Sequence, residues 1–373
     1  MSVNIGRILG IPIRVHWTLW FVFLLIAWSL AVGYLPSTYP NQTQAAYWSI
    51  GTVSALVLFL SVLIHELSHS YIAKKNELPI SRITLFFFGG VSELSEEPQD
   101  AGLEIRMAAA GPLTSFAIAG VLGALWLLGQ VFSAPWWVPA ILGYNALINI
   151  ALGGFNLIPA FPLDGGRVLR GGLWRNSKNL LKATMTATRV SEGLSLLMIA
   201  AGLLLIIFTS QFVNGVWIIF LGWFIRSGAE TSLRQTQMTE ALHGVGVSDL
   251  MTKDLLTVTP SLGVQQLVTD YFLVHPHGGY PVLQDGKILG IVTMDSVRSI
   301  PKEKRELETV GQAMHPYDES MIIGPGASAA EALQRMAQKG SARLLVTDGS
   351  KILGILTRGD LMKAIRTRQD LGS

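Results

Sequence analysis

Between His16 and His65 the chain contains no Asp, Glu, Lys or Arg, and the same holds between Arg106 and Asp164. Tracts of that length without an ionic side chain cannot supply the surface of a water-soluble fold, so they must lie in a different solvent. From Val245 onward charge returns to ordinary density, which splits the chain into an apolar part and a soluble part. The whole chain is accordingly half hydrophobic and only 14% charged, with a mean hydropathy of +0.43. A polytopic membrane protein with a soluble appendage is the class these numbers describe.

A helix needs about 20 apolar residues to cross a hydrocarbon core. Six candidate spans run from Trp17 to Leu35, Tyr47 to Ala73, Met107 to Phe132, Trp136 to Leu157, Ala187 to Phe208 and Val213 to Ile225, the last of them short. Arg7 and Arg14 precede the first span, Lys74, Lys75, Arg82 and Arg106 separate the second from the third, and Arg167 to Arg189 separate the fourth from the fifth. Arg226 and Arg234 follow the sixth, while the other three loops carry no charge, so the positive-inside rule places both termini in the cytosol. A cleaved signal peptide competes for the first segment, but its apolar run is long for one. The net charge of +3 sits beside the spans and accompanies no nucleic-acid motif. Cysteine is absent, so disulfides and thiolate ligands are excluded and any metal must be held by His, Asp or Glu.

The expected organisation is a membrane domain over residues 1–232, a linker over 233–246 around Gly244 and Gly246, and two soluble repeats over 247–300 and 307–368. The repeats are read from Lys287-Ile-Leu-Gly-Ile-Val-Thr293 and Lys351-Ile-Leu-Gly-Ile-Leu-Thr357, with Asp249-Leu-Met251 loosely echoed by Gln312-Ala-Met314. Each copy alternates strands and short helices, and two copies that cover one another make a compact α/β pair.

Chemistry concentrates in His65-Glu-Leu-Ser-His69, near the end of the second span. Residues four apart on a helix share a face, so His65 and His69 can hold one Zn²⁺ while Glu66 reaches a water beside it. Nine helical residues separate His65 from Lys74, which puts the motif about 13 Å inside the membrane boundary. Ionisable groups are expensive at that depth, and three in five positions demand a purpose. A catalytic zinc site takes three protein ligands, and Asp164 is the candidate third. It stands in Asn156-Leu-Ile-Pro-Ala-Phe-Pro162-Leu-Asp-Gly-Gly166, where the prolines and glycines should break the helix and aim the carboxylate inward. A cation path through His65, His69 and Asp164 is the rival reading; Glu66, a general base that transport does not need, argues against it.

These two motifs together resemble the site-2 protease family of intramembrane metalloproteases, and the tail resembles its subgroup carrying a pair of CBS domains. The resemblance spans nearly the whole chain. It implies a fold of six transmembrane helices with a small membrane-associated β-hairpin region, followed by a soluble α/β CBS pair. It implies one Zn²⁺ on His65, His69 and Asp164, Glu66 as the catalytic glutamate, and a transmembrane protein as substrate within the cytoplasmic membrane. Asn156 and Pro162 match positions tied to substrate handling, with Asn156 either bonding the substrate or satisfying backbone at the helix break. Ile83 to Val91, β-prone and ending in Gly89 and Gly90, is expected either to bind extended substrate as an added strand or to pack on the helices. CBS pairs bind ATP, ADP or AMP through a hydroxyl residue followed three positions on by Asp. Thr357-Arg-Gly-Asp360 keeps that pattern and Thr293-Met-Asp-Ser296 departs from it, so at most one good nucleotide site is expected. The alternative for the pair is a homodimerisation module without ligand. His275 and His277 read as a solvated loop, having no further ligand at metal spacing.

Overall fold

The computed structural model describes residues 2–371 apart from 88, 95–97, 276, 317, 319, 320 and 350. It divides into two compact units, Met1–Thr236 and Gln237–Ser373.

Among the described residues, six helices of the first unit are long and apolar enough to span a membrane: α1 (Thr18–Thr38), α2 (Gln44–Lys75), α3 (Ala101–Val131), α4 (Trp137–Asn156), α6 (Leu180–Thr209) and α7 (Phe212–Ala241). A shorter helix, α5 (Asp164–Ser177), stands between α4 and α6. Polar residues at the ends set the boundaries. Thr43 Oγ1 accepts from Ala46 N at 3.2 Å, Asp100 Oδ1 from Leu103 N at 2.8 Å, and Asn179 Oδ1 from Lys182 N at 2.7 Å, each satisfying a first-turn amide. Side chains such as Leu197, Ile207 and Phe208 stay exposed along α6, as a lipid-facing surface requires.

α7 differs most from the sequence reading. Its apolar run ends near Ile225, yet the helix continues to Ala241 through residues expected to begin a linker. Arg226 and Glu230, paired at 3.2 Å one turn apart, support the polar extension. Leu242 is fully buried in the core of the second unit, so the expected linker segment 233–246 is largely structured.

A small hairpin region was expected; the structure has a four-stranded sheet in the order β1-β2-β3-β4, formed by Ser2–Ile8, Ile11–His16, Ile80–Phe86 and Gly89–Leu94. β2 and β3 run parallel, pairing Ile13 with Ile83, and the other neighbours are antiparallel. Two N-terminal strands were missed because their period-two burial is confined to Ile11 and Ile13 of β2, whereas β1 is exposed throughout. The N-terminal turn is tied to the end of α2 by Lys74 Nζ donating to Leu9 O at 2.6 Å. Phe88 of the expected apolar strand lies outside the described residues, and Phe87 occupies the turn between β3 and β4.

In the second unit, β5 (Gly279–Gln284), β6 (Lys287–Thr293) and β7 (His315–Pro316) form one sheet. β8 (Ile322–Ile323), β9 (Arg343–Asp348) and β10 (Lys351–Thr357) form the other. The repeats exchange backbone: β7, from the start of the second, pairs with β6 of the first, and Thr252 of the first bridges Ile355 of the second. This explains the glycine in each Ile-Leu-Gly-Ile. A Cβ on Gly290 would strike His315 O, and one on Gly354 would lie 2.7 Å from Thr252 O. Ile291, Leu345 and Ile355 close a shared core between the two sheets.

Candidate metal centre

His65 and His69 project from adjacent turns of α2, their rings 4.9 Å apart at 75°. Both are at least nine-tenths buried. Asp164 is the first residue of α5, where the helix dipole favours a carboxylate. Its Oδ2 lies 3.2 Å from His65 Nε2 and 3.3 Å from His69 Nε2. One ligand atom from each of the three residues falls within 4.8 Å of the others, which is the only such group among the described residues.

The remaining ring nitrogens decide whether this set suits a metal. His69 donates Nδ1–H to Met107 O at 2.6 Å, so in the neutral ring the Nε2 lone pair faces Asp164. His65 Nδ1 bonds Ser115 Oγ at 2.9 Å. Second partners of this kind orient metal-binding imidazoles. Gly111 of α3 makes the space: a Cβ there would strike His69 Nε2 and lie 2.5 Å from His65 Nε2. Two imidazoles and one carboxylate, without thiolates, make a donor set that fits Zn²⁺ with a position left open.

The carboxylate reaches this point through an irregular passage over residues 157–163, which includes a cis peptide between Phe161 and Pro162. Ser191 Oγ of α6 accepts from Phe161 N at 3.0 Å and anchors it. The diglycine packs tightly rather than serving a turn: a Cβ on Gly166 would lie 2.5 Å from Ala160 C, and one on Gly165 would strike Leu157 O.

Glu66, Asn156, Pro162, Gly89 and Gly90 line the same cavity of about 510 Å³ as the three putting forward ligand atoms, so the structure gathers the sequence candidates of the membrane unit. Gly90 passes so close to Glu66 that a Cβ would strike its Cγ. Asn156 donates Nδ2–H to Leu152 O at 3.0 Å, on its own helix. Sequence reasoning missed Met107, Gly111, Ser115 and the cavity-lining Arg167. Only Arg167, one turn beyond Asp164, carried a signal that spacing could have found.

In the second unit a cavity of about 370 Å³ is lined by residues of both repeats, among them Thr252, Tyr280, Arg343, Thr357, Arg358 and Asp360. Thr357 and Asp360 cap helix α8 (Arg358–Leu371): Asp360 Oδ2 accepts from Thr357 N at 2.9 Å and from Thr357 Oγ1 at 2.7 Å. Thr293 and Ser296 repeat the geometry, with Ser296 Oγ accepting from Thr293 N at 2.9 Å. Burial pushes the Arg343 guanidinium below its ordinary pKa, and the charge of Asp295 opposes the shift. His277 lines the cavity, stacked 6.3 Å from His275; neither belongs to a metal-type cluster among the described residues, and Pro276 lies outside them.

The sequence matches Peptidase family M50 over residues 53–135 and 130–200, and the CBS domain over residues 247–303 and 310–367. It is 34% identical to Rip3 of Mycobacterium tuberculosis over 366 residues, covering 98% of this chain and 93% of that protein. It is 31% identical over 364 residues to a zinc metalloprotease of Methanocaldococcus jannaschii, covering 98% and 96% of the two chains. Among solved structures it is similar to the site-2 protease from Methanocaldococcus jannaschii, with 34% identity and a TM-score of 0.41. That match covers 63% of this chain and 96% of the other.

Proposed function

Because the chain belongs to peptidase family M50, the site-2 proteases, as a multi-pass membrane zinc metalloprotease with two CBS domains, we propose that it cuts transmembrane segments of membrane proteins within the bilayer. The observation that carries this is the convergence of His65 Nε2, His69 Nε2 and Asp164 Oδ2 at 3.2 and 3.3 Å, with both Nδ1 atoms already engaged. Those three residues would hold one Zn²⁺, which when bound would lower the pKa of water and polarise the scissile carbonyl. Glu66 takes the proton of the attacking water and passes it to the leaving nitrogen. Asn156 commits one N–H to Leu152 O, so its second N–H is the donor it offers a substrate carbonyl.

A substrate helix hides its carbonyls in its own hydrogen bonds and must be drawn out before attack. β4 has β3 on one side and no strand partner on the other among the described residues, and Gly89 and Gly90 at its start border the cavity beside Glu66. An unwound substrate pairs with that edge as an added strand, its backbone passing the glutamate. Pro162 lines the same cavity. Both termini lie in the cytosol and the protein in the cytoplasmic membrane, and the positive charge of alternate loops supports the orientation. The CBS pair regulates cleavage by binding an adenine nucleotide in the cavity lined by Thr357 and Asp360, and offers a surface for a second copy of the chain.

The test uses detergent-purified full-length protein and a designed transmembrane peptide. Wild type is expected to carry one zinc and cut in a chelator-sensitive way, and Glu66→Gln to keep the zinc and lose cleavage. An active Glu66→Gln protein would remove the proposed mechanism. Equilibrium dialysis with ATP and AMP, comparing wild type with Asp360→Asn, tests the regulatory site.

A further inference from the structure

One face of α3 meets both histidines of the metal centre. Glu104, Met107, Gly111 and Ser115 follow at intervals of three, four and four residues, which aligns them in a single stripe along the helix. Ser115 and Met107 hold His65 and His69, and Gly111 leaves room for both rings. The histidines are thereby registered against α3. Asp164 belongs to a different helix and needs its own registration.

The first residue of the stripe supplies it. Glu104 Oε1 accepts from Arg170 Nε at 2.6 Å and forms a second contact with the other arm of the guanidinium. Glu104 is fully buried and Arg170 is 7% exposed. Among the described residues Glu104 Oε2 has no hydrogen-bond partner, and Arg170 is the cation that pairs with this buried carboxylate. Beside the pair the backbones of α3 and α5 nearly touch: a Cβ on Gly171 would lie 2.6 Å from Ile105 Cγ1 and 3.2 Å from Ala101 O. The Arg170 guanidinium also lies 5.6 Å from the centre of the Phe161 ring, in the passage that leads into Asp164. It therefore grips the chain on both sides of that carboxylate.

A buried ion pair is a poor source of stability, because desolvation of both ions offsets their attraction; its best-attested use is to fix a register. We infer that the Glu104–Arg170 pair is a positioning device that sets α5 against α3 and so holds Asp164 opposite His65 and His69. This rests on Asp164 being a zinc ligand. Neither residue touches the metal or the substrate. A ligand carboxylate tolerates only small displacement, so a slip of α5 loosens the metal while leaving the helices folded.

The experiment measures zinc affinity by chelator competition and the visible spectrum of the Co²⁺-substituted full-length protein, with thermal unfolding as the control for folding. The variants are Asp164→Asn, Arg170→Lys, and the double variant Glu104→Gln with Arg170→Gln, which leaves no unpaired buried charge. The double variant is expected to unfold near the wild-type temperature, to bind zinc roughly tenfold to a hundredfold more weakly, and to give an altered Co²⁺ spectrum. Arg170→Lys keeps the charge but loses the planar fork, and is expected to show the same changes; it decides the matter if the double variant does not fold. If Asp164→Asn weakens zinc binding while the Arg170 variants retain wild-type affinity and spectrum, the positioning role is overturned and the ligand assignment stands. If Asp164→Asn binds zinc as tightly as wild type, the ligand assignment itself fails.

Discussion

Gly111→Ala is the most discriminating small change the structure offers, since a single methyl group would be added between two imidazoles. The new Cβ would lie 2.5 Å from His65 Nε2 and closer still to His69 Nε2, where uncrowded contact begins near 3.4 Å. The His65 ring would have to retreat by roughly 0.9 Å and the His69 ring by more, several times the tolerance of about 0.2 Å that metal–ligand distances allow. They cannot rotate freely, because Met107 O and Ser115 Oγ hold their outer nitrogens. Zinc affinity should therefore fall at least a hundredfold, about 2.8 kcal/mol, with cleavage falling in parallel. Gly120→Ala on the same helix is the control, because a Cβ there meets nothing within 4 Å. Chelator competition on the purified proteins measures the difference. If Gly111→Ala bound zinc as tightly as the control, the rings would not stand where this structure has them, and the geometric case for the metal centre would be lost.

Other expectations follow from contacts of the same kind. Gly90→Ala should displace Glu66 and lower the cleavage rate at least tenfold without releasing zinc, because its Cβ meets the glutamate and not the ligands; zinc content and turnover on one preparation separate the two effects. Zinc affinity should fall as the pH drops, since protons compete with the metal for the imidazoles and the carboxylate, and chelator competition from pH 8 to about pH 5 would reveal a flat profile if other groups bind it. Thr357→Ala removes the cap of α8 and should destabilise the second unit by about 1 kcal/mol, read as a lower unfolding midpoint. Arg343→Ala should weaken nucleotide binding at the second cavity with little change in zinc content, as judged by equilibrium dialysis.

The spans and the convergence of His65, His69 and Asp164 were legible because each leaves a local trace. Absence of charge marks a span, and four-residue spacing marks a metal-binding helix face. Asp164 was legible from the prolines and glycines around it, although the diglycine, expected to break the helix, lies in the first turn of α5 and serves close packing against Leu157 and Ala160. What surrounds the triad left no such mark. Met107 contributes a backbone carbonyl, which no side chain announces, and Ser115 and Gly111 are ordinary residues of an apolar helix. Glu104 and Arg170 look in sequence like charges at a membrane boundary, and only the fold makes them a buried pair. β1 was invisible because it presents no buried face, and the polar half of α7 because its helical state depends on pairs such as Arg226–Glu230 rather than on apolar periodicity. Thr357 and Asp360 illustrate an ambiguity, since one spacing serves both a helix cap and the expected ribose contact.

The crossing of backbone between the two repeats has a consequence for how the tail can be dissected. Cut away from its twin, the first repeat would lose the partner that β6 finds in His315 and Pro316, and would expose the groove above Gly290 that exists to receive them. Each half leans on backbone that the other supplies, so a disturbance at either is felt by both.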